Sequence, residues 1–221
     1  MFTGIIQAVG KVRSLQQKSG DLRIQIDTAE LDMREVCLGD SIAVNGVCLT
    51  VTELGAQGFW ADVSNETLKH TRMLDYKIGS AVNLEKALTL STPLGGHMVS
   101  GHVDGLGTIR ERFDDARSVR FWIEAPASLQ KYIAAKGSIT VDGVSLTVNE
   151  LNKHLFLLNI VPHTVEQTII RYYQPGARIH LEVDLIARYL ERLMTCSADQ
   201  STENPPLTAA WVLSQGLSRR R

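Results

Sequence analysis

The sequence of 221 residues contains only three cysteines, almost no net charge and few aromatic residues. Cys37, Cys48 and Cys196 are an odd number without a Cys-x-x-Cys pair, which argues against a disulfide scaffold or a zinc ribbon. A formal charge of −1 at pH 7 removes any general electrostatic reason to expect DNA or anionic lipid as a partner. With 44% hydrophobic and 21% charged residues, the composition excludes a disordered or collagen-like chain and favours globular cores.

Targeting signals and nucleotide motifs are also scarce. The first ten residues show no basic leader, and no apolar run is long enough to cross a bilayer. The glycine-rich stretches contain neither a G-x-G-x-x-G pattern after a strand nor a Walker pattern, so nucleotide phosphates are not indicated. We therefore expect a soluble, cytoplasmic protein in a reducing compartment.

The sequence does contain an internal repeat. Residues 41–54 read SIAVNGVCLTVTEL and residues 138–151 read SITVDGVSLTVNEL, which are identical at 10 of 14 positions with an offset of 97. The same offset aligns MFTG at residues 1–4 with MVSG at residues 98–101. One constant offset indicates two homologous halves, residues 1–97 and 98–187, each of the size of a small domain.

Local patterns within each half are mainly those of strands. Residues 21–27 alternate polar and apolar side chains, and the segment around residues 121–123 does the same. Asn45-Gly and Asp142-Gly each lie between apolar runs and predict tight hairpin turns. These signals favour a barrel or a sandwich in each half, with short helices at residues 67–74, 128–135 and 164–172.

The longest helical pattern, at residues 184–195, follows the repeats. Its apolar face consists of Leu185, Ile186, Tyr189, Leu190, Leu193 and Met194. This face packs either onto a barrel of the same chain or against other subunits, and the sequence leaves both alternatives open. Beyond it, residues 196–221 are rich in Ser, Gln, Asn and Pro and predict a mobile tail.

The two halves differ in chemistry at a few aligned positions. The aligned pairs are Asn45 and Asp142, Cys48 and Ser145, Gly39 and Lys136, Ile5 and His102, and Glu66 and His163. The second half thereby gains groups that can accept a proton, donate hydroxyl hydrogen bonds or supply a cation around one ligand, namely Asp142, Ser145, Thr147, His102 and Lys136. The first half offers groups suited to hydrogen bonding, namely Ser41, Cys48, Thr50 and Asn65.

Several of these residues also have a purely structural interpretation. Asp142 precedes a glycine, as turn residues often do, and Lys136 is a favourable cation at a helix end. Ser145 and Thr147 alternate along one face of a strand, which is also typical of a solvated sheet surface.

The thiol and imidazole groups have structural alternatives as well. Cys48 has no neighbouring histidine in sequence and is typical of a small buried residue. His97 and His102 are five residues apart in a glycine-rich stretch. Because no cluster of cysteines or carboxylates completes a ligand set, a metal site is disfavoured.

Four segments of the chain resemble the riboflavin synthase family of the α-subunit type. They are MFTGI at residues 1–5, NGVCLTV at 45–51, GGHMVSGH at 95–102 and DGVSLTV at 142–148, and the match runs from residue 1 to about residue 194. The resemblance implies a mainly β fold of two homologous six-stranded Greek-key β-barrels in tandem. It also implies a C-terminal α-helix through which three chains associate as a homotrimer.

The reaction that the resemblance implies is the last step of riboflavin biosynthesis. Two molecules of 6,7-dimethyl-8-ribityllumazine dismutate by transfer of a four-carbon unit, giving riboflavin and 5-amino-6-ribitylaminouracil, and the transferase needs no cofactor or metal. In the family, the first barrel of one subunit faces the second barrel of its neighbour. The resemblance also implies lumazine synthase as a partner of the enzyme.

The resemblance also implies the site residues. The catalytic candidates are Ser145, Asp142, His102, Thr147, Ser41 and Cys48. The substrate-binding candidates of the first barrel are Gly4, Ile5, Ile6, Cys48, Leu49, Thr50, Asp62, Val63, Ser64, Asn65, Glu66 and Thr67. Their counterparts in the second barrel are Gly101, His102, Val103, Lys136, Ser145, Leu146, Thr147, Asn159, Ile160, Val161, Pro162, His163 and Thr164.

Two other classes of function compete with the enzyme. A non-catalytic carrier of lumazine or flavin shares the duplicated barrel, and a structural two-barrel assembly would make the polar residues incidental. Such carriers have lost the catalytic character of the second barrel, whereas Asp142, Ser145 and His102 are all present here. The sequence therefore favours the enzyme.

Overall fold

A computed structural model describes residues 1–18 and 20–201 of the chain. One unit, Met1–Leu185, contains both repeats, and a second begins at Ile186. Over the described ranges, every helix is too short or too polar to traverse a membrane.

Twelve strands of the described chain form two closed antiparallel barrels of six strands each. The first barrel contains β1 (Ala8–Lys18), β2 (Asp21–Asp27), β3 (Ser41–Val44), β4 (Val47–Gly55), β5 (Gly58–Val63) and β6 (Ala81–Lys86), in the spatial order β1-β2-β5-β4-β3-β6. The second contains β7 (Gly105–Asp115), β8 (Ser118–Glu124), β9 (Ser138–Val141), β10 (Val144–Asn152), β11 (Leu155–Ile160) and β12 (Arg178–Val183), in the corresponding order. Every strand of the second barrel begins and ends 97 residues after its counterpart, which confirms the predicted duplication.

The alternating patterns of the sequence produce the barrel interiors. Leu22, Ile24 and Ile26 of β2 are buried, and the polar residues between them are more exposed. Phe121 and Ile123 of β8 are likewise buried, between more exposed neighbours. Because side chains alternate between the two faces of a strand, this period fills one apolar core within each barrel.

Short helices connect the strands near the predicted positions. They are α1 (Asn65–His70), a 3-10 helix (Met73–Asp75), α2 (Ala127–Gln130), α3 (Pro162–Glu166) and a second 3-10 helix (Ile169–Tyr172). The segments predicted as single helices at residues 67–74 and 164–172 are each divided, because Thr71 and Thr168 have extended backbone angles. The hydroxyl groups of both threonines donate to the carbonyl four residues earlier, at 2.8 and 2.7 Å, and end the α-helix there.

The C-terminal helix α4 (Leu185–Ser201) runs six residues beyond the predicted end at residue 195. The apolar side chains that the sequence assigned to one face are largely exposed from Ile186 onwards, including Tyr189, Leu190 and Met194. The remainder of the predicted mobile tail, residues 202–221, lies outside the described residues.

The two Asn-Gly and Asp-Gly hairpin turns form as predicted and meet between the barrels. Asn45 and Gly46 have φ of 47° and 78°, and Asp142 and Gly143 have φ of 42° and 85°. A Cβ on Gly46 would lie 2.8 Å from the Gly143 nitrogen, and a Cβ on Gly143 would lie 2.7 Å from the Gly46 nitrogen. The two turns therefore stack as closely as backbones allow, related by an approximate twofold axis.

A buried polar network surrounds the first turn. The Asn45 side chain donates to the Tyr76 hydroxyl at 2.7 Å and accepts from the Asn83 backbone N–H at 2.7 Å. The Asn83 side chain reaches the other repeat, where it donates to the Asp142 carbonyl at 2.8 Å and accepts from the Ile169 N–H at 2.8 Å. These four hydrogen bonds pair the two buried amides, and the two that the Asn83 side chain makes join the barrels.

The second turn repeats this network with ionisable groups. Asp142 accepts from the Tyr173 hydroxyl at 2.7 Å and from the His180 N–H at 2.9 Å. The His180 ring, in the position of the Asn83 amide, contacts the Asn45 carbonyl through Nδ1 at 2.8 Å and the Arg72 N–H through Nε2 at 3.0 Å. Because a carbonyl requires a donor and an N–H requires an acceptor, the ring is neutral with its proton on Nδ1.

One contact of the second network has no counterpart in the first. The Arg72 guanidinium lies 3.0 Å from the Asp142 carboxylate and also stacks over the Tyr76 ring. The repeat mates of this ion pair are Ile169 and Asn45, which carry no charge. Asp142 is fully buried, so Arg72 supplies the charge compensation that its carboxylate requires.

The neutral His180 ring predicts a loss of stability in acid. Burial lowers the pKa of His180 below its ordinary value, so the unfolded chain takes up a proton before the folded chain does. The resulting stability is fully present above the unfolded pKa of about 6.5 and decreases as the pH falls below it, by at most about 2 kcal/mol at pH 5.

His180→Asn should remove this part of the pH dependence, because the Asn83 amide makes the same two contacts in the other repeat. Urea unfolding at pH 8 and pH 5 measures the difference. His154→Asn, which changes an exposed histidine, should retain the wild-type dependence. An unchanged acid sensitivity in His180→Asn would show that other groups cause it.

Candidate functional site

Two arms, residues 1–6 and 98–103, pair with each other before each barrel begins. Phe2 and Val99 form an antiparallel bridge through hydrogen bonds of 2.7 and 3.1 Å, and both side chains are buried. The two arms are repeat mates, so the bridge lies across the approximate twofold axis.

A glutamate from the arm's own barrel holds each arm. Glu85 accepts from the N–H and hydroxyl of Thr3, at 2.7 and 2.6 Å, and from the Gly4 N–H at 3.0 Å. Glu182 makes the same three contacts with residues 100–101, at 2.6, 2.7 and 3.0 Å. Burial raises the pKa of both carboxyl groups, and the hydrogen bonds to the arms oppose that rise.

Each arm then crosses to the barrel of the other repeat. The Gly4 carbonyl accepts from the Ser145 N–H of the second barrel at 2.8 Å, and the Gly101 carbonyl accepts from the Cys48 N–H of the first barrel at 2.8 Å. A Cβ on Gly4 would lie 2.6 Å from the Ser145 Cβ, so the first arm touches β10 directly.

The side chains that follow the two glycines confirm the exchange of arms. Ile6 packs against the core of the second barrel, and Val103 packs against the core of the first. The sequence assigned residues 4–6 to the first barrel and residues 101–103 to the second, and this assignment is wrong for both. The repeat offset identifies equivalent segments but does not show which barrel a segment contacts.

A cleft of about 170 Å³ opens where the second arm crosses the first barrel. Its lining residues are Val47, Cys48, Glu66, Thr67, His70, Thr71, Gly101, His102 and Val103. The structure thus brings Cys48 of the first repeat together with His102 of the second. His102 was predicted to add ionisable character to the second half, and the arm exchange places it at the first barrel instead.

Helix α1 supplies the polar rim of this cleft. Ser64 caps the helix by accepting from the Thr67 N–H at 3.2 Å. Glu66 contacts both Lys69 and His70 at 3.1 Å, and these two hydrogen bonds lower the pKa of its carboxyl group. The rim therefore carries the Glu66 carboxylate and the His70 imidazole. At the aligned positions, the second repeat has His163 and Gln167 instead.

The second barrel places Ser145 beside a histidine that we did not include among the site residues. Ser145 Oγ lies 2.7 Å from His97 Nδ1, and Thr140 Oγ1 lies 3.2 Å from His97 Nε2. Burial lowers the pKa of His97. One signal was available in the sequence, since Thr140 aligns with Ala43 within the best-matching repeat segment.

The other catalytic candidates lie apart from these groups. Asp142 has none of its side chain exposed, and its carboxylate contacts Arg72, Tyr173 and His180 in the network between the barrels, in agreement with the structural interpretation. Ser41 lines another cleft, of about 180 Å³, together with Lys86. Thr147 is exposed on β10, and Lys136 is exposed with φ of 67°, in the left-handed conformation that Gly39 adopts at φ of 91°.

The remaining binding candidates divide by burial. Leu49, Val63 and Ile160 are buried in the barrels. Leu146 and Thr164 are half-buried, and the exposed candidates are Ile5, Thr50, Asp62, Asn65, Asn159, Val161, Pro162 and His163. Within the described ranges, no group of three or more His, Cys, Asp or Glu side chains is placed to hold a metal ion.

Comparison with known proteins gives consistent matches. The Lumazine binding domain family matches residues 3–87 and again residues 100–184. The riboflavin synthase of Photobacterium phosphoreum is 48% identical over 194 residues, which cover 88% of this chain and 89% of that protein. The riboflavin synthase of Bacillus subtilis (strain 168) is 38% identical over 217 residues, which cover 98% of this chain and 100% of that protein.

Solved structures with a similar fold include LumP complexed with 6,7-dimethyl-8-(1'-D-ribityl) lumazine, with a TM-score of 0.75 and 22% sequence identity. LumP complexed with riboflavin gives a TM-score of 0.76 at 23% identity. Each match covers 83% of this chain and 99% of the LumP chain, and at this identity it establishes the fold alone.

The arm exchange predicts different costs for alanine at two left-handed glycines. A Cβ on Gly101 would lie 2.7 Å from the Cys48 Cβ and 2.8 Å from the Phe2 ring, whereas one on Gly79 has no heavy atom within 4 Å. Gly79→Ala should cost about 1 kcal/mol of unfolding free energy from backbone strain alone. Gly101→Ala should cost about 1–3 kcal/mol more through overpacking, and should change the alkylation rate of the Cys48 thiol. Equal losses in urea unfolding would contradict the close approach.

Proposed function

The chain belongs to the riboflavin synthase family, and we propose that it converts two molecules of 6,7-dimethyl-8-ribityllumazine into riboflavin and 5-amino-6-ribitylaminouracil. The observation that carries the proposal is the pair of lumazine binding domains in a chain 48% identical to a riboflavin synthase over most of both lengths. The reaction is a transferase reaction in which one lumazine gives up a four-carbon unit and the other accepts it.

The duplication suits a reaction between two copies of one heterocycle. The cleft of the first barrel lies between a β-strand, a short helix and the crossing arm. In the proposal, the equivalent backbone segments of the second barrel recognise the same ring system. A lumazine presents carbonyl and ring-nitrogen edges, which backbone groups and short hydroxyls can meet. Holding both rings in contact makes the encounter effectively intramolecular and can supply roughly 7 to 11 kcal/mol in favourable cases.

The differences between the pockets suit unequal roles for the two substrates. The 7-methyl group of one lumazine must lose a proton, and the other ring must be attacked by a nucleophile. The cleft of the first barrel holds His102, and imidazoles exchange protons readily near neutral pH. The second barrel holds the Ser145 hydroxyl beside an imidazole, which suits the acceptance of a proton from that hydroxyl.

The proposal assigns functions to the predicted site residues accordingly. Ser145, His102 and Cys48 contact the substrates, with Ser41 and Thr147 as further candidates, and the binding segments named from the sequence line the two pockets. Asp142 acts instead as a positioning residue. Its buried carboxylate anchors the turn before Ser145 through Arg72 and Tyr173, so its effect on catalysis passes through the alignment of β9 and β10.

The assembly that we propose is a homotrimer in the cytoplasm. Its support is the exposed apolar face of α4, since a soluble protein rarely leaves such a surface in water. In this assembly, the first barrel of one chain faces the second barrel of its neighbour and completes the reaction site. Association with lumazine synthase stays a prediction.

The proposed activity is tested by incubating the purified chain with 6,7-dimethyl-8-ribityllumazine and following the absorbance of riboflavin. Two substrate molecules should be consumed for each riboflavin formed, and pretreatment with a chelator should leave the rate unchanged. Binding without turnover would indicate a carrier, and turnover restored only by a divalent ion would contradict the cofactor-free reaction. Light scattering of the same preparation should give three times the mass of one chain.

Ser145→Ala and Asp142→Asn should separate catalysis from stability. Ser145→Ala should lower kcat by about 10- to 100-fold with little change in KM, because the hydroxyl acts mainly in the transition state. Asp142→Asn should lower the free energy of unfolding by about 2–3 kcal/mol, because Arg72 loses its partner. Its turnover per folded molecule should stay within about threefold of wild type.

The double variant Asp142→Asn with Arg72→Ile should recover most of the lost stability, because Asn45 and Ile169 are the uncharged repeat mates of this pair. A large fall in kcat for folded Asp142→Asn would instead return Asp142 to the catalytic group.

A further inference from the structure

A chain of hydrogen bonds in the second barrel joins three segments that are distant in sequence. His97 lies in the segment between β6 and β7, Thr140 lies on β9 and Ser145 lies on β10. The ring of His97 contacts Ser145 Oγ at 2.7 Å through Nδ1 and Thr140 Oγ1 at 3.2 Å through Nε2. Ser145 and Thr140 are directly opposite each other in the ladder, so the imidazole lies across one cross-strand pair.

The first barrel has no equivalent of these hydrogen-bonded side chains. Ser145 aligns with Cys48, Thr140 aligns with Ala43, and His97 precedes the second repeat and therefore has no mate. The pair Ala43 and Cys48 occupies the same ladder position in the first barrel. All three hydrogen-bonded residues thus distinguish the second barrel from the first, although the strands around them are duplicated residue by residue.

The first arm holds the segment that carries His97. The backbone N–H of His97 donates to the Thr3 carbonyl at 3.1 Å, and Ile5 of the same arm packs beside Gly95. Burial lowers the pKa of His97, and the charge of Asp184 opposes that shift. At neutral pH the ring is therefore neutral, with one donor nitrogen and one acceptor nitrogen.

We propose that His97 is a positioning residue for Ser145: its Nδ1 accepts the Ser145 O–H while its Nε2–H donates to Thr140 Oγ1. The Ser145 oxygen then presents its lone pairs to the ligand of the second barrel. The part of this inference that concerns turnover rests on the proposed function. The direction of the hydrogen bonds does not, because it is a property of the free protein.

A thiol at position 145 tests the coupling between His97 and residue 145 without turnover. A thiol that donates to a neutral imidazole forms its thiolate more readily than a free thiol, whose pKa is about 8.5. Ser145→Cys should therefore react with iodoacetamide at pH 7 at least about tenfold faster than Ser145→Cys combined with His97→Ala. Loss of the His97 ring also makes the sulfur more accessible, which by itself would speed up the reaction. A slower reaction in the double variant therefore reflects a smaller fraction of thiolate.

Cys48 serves as the reference within each protein, because it occupies the aligned position of the first barrel. Peptide mass spectrometry separates its alkylation from that of the introduced thiol and of the other cysteines. The Cys48 rate should be the same in both proteins. Equal rates for the introduced thiol with and without His97 would overturn the proposal.

Kinetics of the otherwise unmodified chain test the consequence for turnover. His97→Ala should lower kcat by about 10- to 100-fold while KM changes less than about threefold. The decrease of kcat at acid pH that follows protonation of His97 should be absent from this variant. His154→Ala, which removes an exposed histidine beside Glu124, should keep the wild-type kcat and pH profile.

Thr140 provides a second route should His97→Ala fail to fold. Thr140→Ala introduces the side chain that Ala43 already has in the same position of the first barrel, so it should fold. It should lower kcat by about two- to fivefold and shift the acid limb, and Thr140→Ser should restore both. Thr140→Ala with wild-type kcat and an unmoved acid limb would overturn the proposal. Absence of riboflavin formation in wild type, with the thiol result as expected, would contradict the proposed function and leave the His97 contact established.

Discussion

The crossing of both arms depends on the bridge between Phe2 and Val99. The two arms pair with each other at this bridge, and each then contacts a strand of the other repeat before it enters its own barrel. The glutamates Glu85 and Glu182 fix the arms with three hydrogen bonds each, so the exchange is held at both ends by buried groups. One wall of the cleft at the first barrel, residues 101–103, therefore belongs to the second repeat.

The polar network between the barrels follows from the same symmetry. The Asn83 amide and the His180 ring each donate across the axis to a turn carbonyl and accept a backbone N–H of the other repeat, which is why two barrels can join through turns that carry amides and a carboxylate. Only the pair of Arg72 and Asp142 departs from the pattern, and it places a buried charge where the first repeat has a neutral amide. The network orients β9 and β10, on which Thr140 and Ser145 lie.

The barrels could be predicted from the sequence because their causes are local. Alternating side chains build the strands, and Asn45-Gly and Asp142-Gly require the left-handed turns that they form. The arm exchange could not be predicted, since a constant offset fits exchanged and unexchanged arms equally. For this reason His102 was assigned to the wrong barrel. Asp142 was included among the catalytic candidates because it differs in charge from Asn45, whereas the structure buries its carboxylate in the network between the barrels, which the sequence does not reveal. His97 was considered only as a metal ligand, because its contact with Ser145 joins residues 48 apart in the sequence and leaves no local pattern.

The correspondence between the Asn83 amide and the His180 ring shows what this interface permits and what it forbids. The two side chains differ in size, aromaticity and acidity, yet each offers one donor and one acceptor in the same order. A side chain at either position must therefore provide one donor and one acceptor, whatever its shape or hydrophobicity. Under this requirement, one repeat can carry an amide that does not ionise and the other an imidazole that does. A scan of all side chains at residue 180 would consequently tolerate a very short list, and similarity scales based on size or polarity would rank that list in the wrong order.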